Sequence, residues 1–303
     1  IAQAADSVSL GRVSLALAAG TESMSRNPIA AYTHRNGFAM GKVEFKDFLW
    51  EALYDPAGCV TMGDTAENLA KQYGIERKRV DRFAVRSFER AIAARDGGLL
   101  AEEIVPVVSE TFEIEGIDKR SIRLPRGVEQ VDTDSHIRPS PYEVLSKLRP
   151  AFGGVQTGGN SSAIVDGAGA VLVASSDYAK SHGLTPKARL VASAAVGIGP
   201  APAIRAVLEA SGLTLDQIGR IEINEAFGAQ ILACVDELGL DEDKLNVNGG
   251  AIAIGHPLGA TGIRLALTLA HELERSGERY GIASACIGGG QGIALLIENP
   301  RAV

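Results

Sequence analysis

Three short motifs set reactive side chains beside small neighbours: Asn224-Glu225-Ala226-Phe227, Gly255-His256-Pro257, and Cys286-Ile287 followed by Gly288, Gly289 and Gly290. His256 lies in a loop that enters a helix, where the helix dipole disfavours imidazolium, and a neutral imidazole is a usable base. Cys286 closes a strand of small residues. The glycines after it leave bare backbone that admits a ligand and lets N–H groups face a developing oxyanion. Asn224 stands at a strand-to-helix step. Each has an inert reading when taken singly: a loop or capping histidine, a buried cysteine acting as a small hydrophobe, an asparagine cap, and a solvated first-turn carboxylate at Glu225. Together, at the ends of predicted strands, they are candidates for a single site, because ligand sites in open α/β sheets gather at the C-terminal strand edge.

Helices and strands with glycine or small-residue boundaries must hold these motifs. Ile1, Ala4, Ala5 and Val8 have helical spacing without an N-cap, and residues 11–20 read as a buried strand. From about Arg26 to Gln156, aromatic and charged residues intersperse, which predicts an inserted α-rich segment. Its helices start at an Asp64 or Thr65 cap, break at Gly74, resume at Lys78 and end at Gly97 and Gly98. After Thr157 the glycine-rich α/β pattern returns. It gives a strand in NSSAIVDGAGAVLVAS, a strand in ARLVASAAVGI, a helix closed by Gly212, a strand IGRIEIN running into a helix from Glu225, a helix over 260–275, and two final strands around the glycine turn. Helix, glycine turn and strand occur in this order both at residues 1–20 and at residues 264–286, an internal echo that implies two related α/β halves.

The chain has 303 residues, 46% hydrophobic and 22% charged, which excludes disorder, a fibre and a small disulfide-stapled module. A net charge of −7 argues against general nucleic-acid binding. Between Asp118 and Arg149, however, seven Lys/Arg face five Asp/Glu, a locally basic stretch that reads either as a solvated face or as an anion site. Cys59, Cys234 and Cys286 are far apart and odd in number, so neither a disulfide framework nor a metal site is read, and a reducing compartment fits. The two long uncharged runs are each broken by five glycines, so no membrane span is expected.

The chain resembles the thiolase family, the enzymes that make or cleave 3-ketoacyl-CoA. The likeness runs from AAGTESMSRNP through MGDTAENLA, DSHIRPSPYEVLSKLRPAF and TGGNSSAIVDGAGAVLVAS to NEAF, GHP and CIGGGQG. The last three motifs together are specific, and NEAF points to thiolytic or acetoacetyl-forming members. The resemblance implies a layered αβαβα fold with two mixed sheets. The first sheet is expected to be incomplete, with residues 1–26 and 158–180 in the N-terminal half, 27–157 as an inserted CoA-binding loop domain, and 181–303 as the C-terminal half.

It also implies an acyl-CoA C-acyltransferase of fatty-acid metabolism, β-oxidation included, working through a cysteine thioester. In the family the nucleophilic cysteine stands at the N-terminus of the helix that leads into the strand before GTESMS; here that helix begins at Ile1, so the resemblance implies a nucleophile upstream of it, and neither Cys59 nor Cys234 fits that position. His256 resembles the base that activates that thiol, and Cys286 the acid/base that exchanges a proton with the acetyl-CoA methyl. Asn224 resembles the residue that holds a water beside His256, and the N–H of Gly288 half of a second oxyanion hole. Arg138 matches an arginine near the CoA nucleotide, Ser162 a serine at the pantetheine arm, and Met62 a methionine lining the thioester pocket. No permanently bound cofactor and no metal is implied; coenzyme A and acetyl-CoA are substrates. A homodimer or homotetramer is implied, while association with a hydratase-dehydrogenase partner is not readable. The family's Pro- and Met-containing segment before GIGP is missing, so either a loop is missing or the pocket is wider. The tail Arg301-Ala302-Val303 is no peroxisomal address, and a cytoplasmic location is expected. The other reading is a non-catalytic acyl-CoA-binding or scaffold protein. An unrelated nucleotide-binding enzyme would require a phosphate loop at the first βα turn, and none is present.

Overall fold

The computed structural model describes every residue except Thr33, Ile198 and Val303, so one residue of the GIGP junction and the last residue of the tail lie outside the described residues. Alternating small and apolar residues make Leu15–Ser23 a strand (β1). It pairs antiparallel with Asp166–Ala174 (β2), in register from Leu15↔Ala174 to Ser23↔Asp166. The helix Ala2–Ser9 (α1), whose N-cap Ile1 makes no side-chain capping bond, packs on both strands.

Between β1 and β2, helix α2 (Met62–Tyr73) begins earlier than the predicted caps. Thr61 is the cap: its Oγ1 accepts from the Asp64 N–H while the Asp64 carboxylate accepts from the Thr61 N–H. Helix α3 (Arg77–Asp96) buries one face, including Val80, Ala84, Phe88 and Ala91. The segment is less purely helical than its composition predicts. Ile29–Ala30 pairs with Lys46–Asp47, Tyr54–Asp55 with Val60–Thr61, Val107–Val108 with Gln130–Val131, and Glu110–Phe112 with Arg120–Ile122. Pairs of two or three residues are too short to show a period-two pattern in sequence.

The second half contains β3 (Arg189–Gly197), α4 (Pro200–Ser211), β4 (Arg220–Ile223), α5 (Gly228–Leu238), α6 (Ala251–Ile254), α7 (Leu258–Ser276), β5 (Tyr280–Ile287) and β6 (Gln291–Glu298). Its sheet has the order β3-β6-β5-β4, with β4 and β5 parallel and the other pairs antiparallel. Helix α5 starts at Gly228 and not at Glu225. Phe227 is extended and bridges to Ser161, and the Gly228 N–H donates to Asn160 O, so this segment continues the strand instead of opening the helix. Glu225 is consequently 1% exposed and not a solvated first-turn carboxylate.

Helix α7 lies between the sheets, against β1 and β2 on one side and β4 and β5 on the other. Leu265, Leu269 and Leu273 are fully buried, each worth about 1.5–3 kcal/mol relative to exposure. At its first turn the contact is backbone to backbone: a Cβ on Gly20 would stand 1.8 Å from Gly259 O, and one on Gly259 2.4 Å from Thr21 O. A larger residue at either position would push the β1–β2 pair away from the helix that carries the His256 loop. Among the described residues no helix is long and apolar enough to cross a membrane.

Candidate active site

Strand β4 delivers Asn224. Its N–H donates to Ser284 O at 2.9 Å, continuing the β4–β5 alignment, and its side chain is fully buried. The Nδ2 of Asn224 lies 3.2 Å from His256 Nε2, while its Oδ1 finds no donor among the described residues. His256 is reached through α6 and Gly255, whose φ of 116° suits glycine and whose missing Cβ leaves room for Val165. The His256 N–H donates to Ala163 O at 3.2 Å, so the 157–165 loop holds the GHP backbone as well.

The tautomer of His256 follows from its other nitrogen. Nδ1 is 2.6 Å from Thr261 Oγ1, and that hydroxyl donates to Pro257 O at 3.0 Å. A hydroxyl has one hydrogen and a carbonyl can only accept, so both bonds form when Nδ1–H donates to Thr261. Nε2 is then the unprotonated nitrogen, and it accepts from Asn224. Burial, with the nearby Arg264 charge adding to it, pushes the His256 pKa down to about 4. The ring is neutral at physiological pH, as expected, but chiefly because it is desolvated.

Cys286 lies near the end of β5, paired across the hairpin with Gly292. Burial pushes its thiol up to about 11, so it is protonated at neutral pH and suits proton donation to carbon better than nucleophilic attack. Gly289 and Gly290 have φ of 79° and 69°, the left-handed conformations that make the tight turn. Met62, the first residue of α2, abuts this turn: a Cβ on Gly288 would lie 3.6 Å from its Sδ. Phe152, whose ring lies against Gly63, packs edge-on on Phe227 with ring centroids 6.0 Å apart.

Ser162 follows the same loop, its N–H donating to Ala226 O at 3.0 Å, so it adjoins the NEAF backbone. Arg138 is exposed, and its partners are different ones. Its Nη1 is 2.9 Å from His136 Nδ1, and its guanidinium carbon is 5.6 Å from the Phe88 ring centre. Burial and the Arg138 charge lower the His136 pKa, which leaves the ring neutral and able to accept from Arg138. The structure thus joins Asn224 to His256, Met62 to Gly288 and Ser162 to Ala226, while Arg138 sits over α3.

Several partners were not singled out in the sequence. Thr261 stands one helical turn after Pro257, a spacing that marks it as a candidate for the loop histidine. Arg264 Nη1 is 3.2 Å from Glu222 Oε2 beneath the site, and Glu225 and Asn246 form a buried polar node. A cavity of about 420 Å³, lined by Ile1, Leu17, Ile263, Ala285 and Leu295 among others, includes none of Asn224, His256 or Cys286. Its wall includes Ser284 and Ala285, which precede Cys286 on β5.

Residues 1–177 match the family model described as thiolase, N-terminal domain, and residues 184–299 match thiolase, C-terminal domain. The chain is 43% identical over 294 residues to the mitochondrial 3-ketoacyl-CoA thiolase of Rattus norvegicus, covering 93% of this chain and 71% of that protein. It is 43% identical over 309 residues to the beta-ketoadipyl-CoA thiolase of Pseudomonas aeruginosa, covering 96% and 74%. The crystal structure of human mitochondrial 3-ketoacyl-CoA thiolase in complex with CoA superposes with a TM-score of 0.89 at 40% identity, covering 97% of this chain and 73% of that one.

Proposed function

The chain belongs to the thiolase family, and on that premise we propose that it is an acyl-CoA C-acyltransferase that makes or cleaves 3-ketoacyl-CoA through a cysteine thioester. The observation that carries the reading is the neutral His256, its Nε2 unprotonated and fixed by Asn224 and Thr261, with the protonated Cys286 thiol on the neighbouring strand.

In thiolysis, His256 Nε2 gives up its bond from Asn224 Nδ2 and takes the proton of an attacking cysteine thiol, and the thiolate adds to the 3-keto carbon of the substrate. The bond between the 2- and 3-carbons breaks as the carbonyl re-forms. The electron pair left on the 2-carbon is delocalised as a thioester enolate and takes the Cys286 proton, giving acetyl-CoA. The enolate oxygen is met by the new Nε2–H of His256 and by a water whose O–H is accepted at Asn224 Oδ1. The Gly288 N–H faces the oxyanion at the acylated cysteine. Coenzyme A thiol gives its proton to the Cys286 thiolate and attacks the acyl-cysteine; as the acyl–CoA bond forms, the bond to the cysteine sulfur breaks and that thiolate takes back the proton from His256 Nε2. Arg138 meets the nucleotide end of CoA, Ser162 the pantetheine arm, and Met62 the thioester pocket.

None of the three cysteines is suited to be the attacking thiol. Cys59 is exposed in a turn against Pro56 O, Cys234 is buried with its thiol pushed up to about 12, and Cys286 has the proton-transfer role. We assign the nucleophile to a segment preceding Ile1. The same observation favours a second reading, a thiolase-like acyl-CoA binder without turnover. Intact mass of the protein purified from its source separates the two: a heavier chain with an upstream cysteine that cleaves acetoacetyl-CoA with CoA supports the first. A mass equal to residues 1–303 with CoA binding and no turnover supports the second.

The three-part division proposed from the sequence belongs to this reading, and the β1–β2 pairing supports joining 1–26 to 158–180. So do self-association as a dimer or tetramer, which light scattering tests, and a cytoplasmic location, which fractionation tests.

A further inference from the structure

Glu225 follows Asn224 in the chain and is almost completely buried, yet the acyl-transfer chemistry gives it no task. Its carboxylate accepts three bonds from three parts of the molecule. Oε1 accepts from Asn246 Nδ2 at 2.9 Å; Oε2 accepts from Ser87 Oγ of α3 at 2.6 Å and from the Ile252 N–H of α6 at 3.1 Å. Ser87 Oγ in turn accepts the Gly250 N–H at 3.1 Å. Asn246, with φ of 46°, brackets the end of β4, its Oδ1 accepting from the Ile223 N–H and its Nδ2 donating to Ile223 O, both at 2.9 Å. Gly250 makes room: a Cβ there would come within 2.3 Å of the carboxylate carbon.

These bonds close a ring. Asn224 leads to Glu225, Glu225 grips Ile252, and the chain from Ile252 runs through α6 and Gly255 to His256, whose Nε2 returns to Asn224. We infer that Glu225 is a positioning residue of the acyl-transfer site, an internal clamp that sets the separation of Asn224 and His256 by tying the end of β4 to the loop carrying the histidine. The inference rests on the function proposed above for the kinetic readout alone, since the clamp is defined by geometry.

The hydrogen-bonding groups on the carboxylate are all donors, Asn246 Nδ2, Ser87 Oγ–H and Ile252 N–H, and the charges of Arg264, Arg90 and the Glu222 carboxyl also act on it. Burial raises the Glu225 pKa, and the three bonds and Arg264 oppose the rise. Replacement by glutamine leaves one oxygen for donors on two sides and sets an amide against one of them, so the clamp loosens although the side chain keeps its size.

The test compares Glu225→Gln and Ser87→Ala, which removes one donor and keeps the carboxylate, with Ile204→Val, a core change in α4 away from the site. Nitrogen-15 NMR of the His256 ring reads its tautomer and titration, and thiolysis of acetoacetyl-CoA by the complete gene product reads kcat and KM. The expected result for Glu225→Gln is an unchanged KM, a kcat lower by roughly 100-fold, and a His256 titration moved upward as its loop opens to water. Ser87→Ala moves both in the same direction by less, and should Glu225→Gln fail to fold, this variant decides. Ile204→Val lowers the melting temperature and moves neither. An unchanged His256 titration and kcat in a folded Glu225→Gln or Ser87→Ala protein would overturn the clamp. Absence of thiolysis in the wild type would count against the proposed function and leave the NMR comparison to decide on the clamp.

Discussion

Thr261 Oγ1 stands 2.6 Å from His256 Nδ1 and passes its own hydrogen to Pro257 O, so a threonine one turn into α7 decides which nitrogen of the histidine is free to act as a base. The ring reaches this position only because Gly255 turns the chain and Gly20 and Gly259 let α7 lie directly on β1. Base strength arises on catalysis: the imidazolium that is unfavourable alone in a buried site becomes favourable beside the thiolate made with it.

Replacing Thr261 by valine removes the Nδ1 acceptor at nearly constant volume. The expected result is a kcat/KM lower by about 100-fold, with substantial recovery in Thr261→Ser. Nitrogen-15 NMR of the wild-type ring is expected to show Nδ1 protonated with titration near 4, and Thr261→Val to give a mixed tautomer. Equal kcat/KM in the valine variant would rule out the tautomer assignment.

Cys286→Ala removes the proton donor to the acetyl-CoA carbon and leaves the acylation base in place. Thiolysis is expected to fall by roughly 1,000-fold, and exchange of the acetyl-CoA methyl protons with deuterated solvent to stop. Continued exchange in this variant would assign the proton transfer to another group.

Arg138→Gln is expected to raise the KM for CoA about tenfold or more while kcat stays the same, because a lost hydrogen bond to a charged group costs about 1.5–3 kcal/mol. The wild-type KM is expected to rise with salt, and the variant's to depend on it less steeply. A fall in kcat at constant KM would remove Arg138 from the nucleotide end.

Glu222 is fully buried next to Arg264, and burial pushes its carboxyl from the ordinary 4.5 up to about 8, with Arg264 opposing the rise. The folded chain therefore holds a proton that the unfolded chain releases first. This stabilising contribution is complete below pH 4.5 and is lost as pH rises through about 8. Denaturant midpoints of the wild type should decline over that window and those of Glu222→Gln should decline less; identical pH profiles would contradict the shift.

Much of this was legible in the sequence for a physical reason. Gly74, Gly212 and Gly277 sit at helix ends in left-handed conformation, and so punctuate the chain where few other residues fit. His256 stood out because it lies between Gly255 and Pro257, and Cys286 because a run of three glycines starts two residues after it. Glu225 was misread because a carboxylate after an asparagine at a strand end fits a solvated helix turn, and the donors that bury it, Ser87, Asn246 and Ile252, come from distant segments. The cap at Thr61 was missed for a simpler reason: Thr61, Asp64 and Thr65 all offer capping side chains within one turn, and only the fold selects among them. Tertiary contact decides in both cases, and local propensity is silent about it.

The most direct measurement of the central claim is the mass of the complete gene product after brief incubation with acetoacetyl-CoA, with the adduct located by peptide sequencing. The account predicts one added acetyl group on a cysteine in a peptide preceding Ile1, removed by coenzyme A and not formed in His256→Ala. An adduct on Cys59, Cys234 or Cys286, or no adduct in a protein that still turns over, would contradict it.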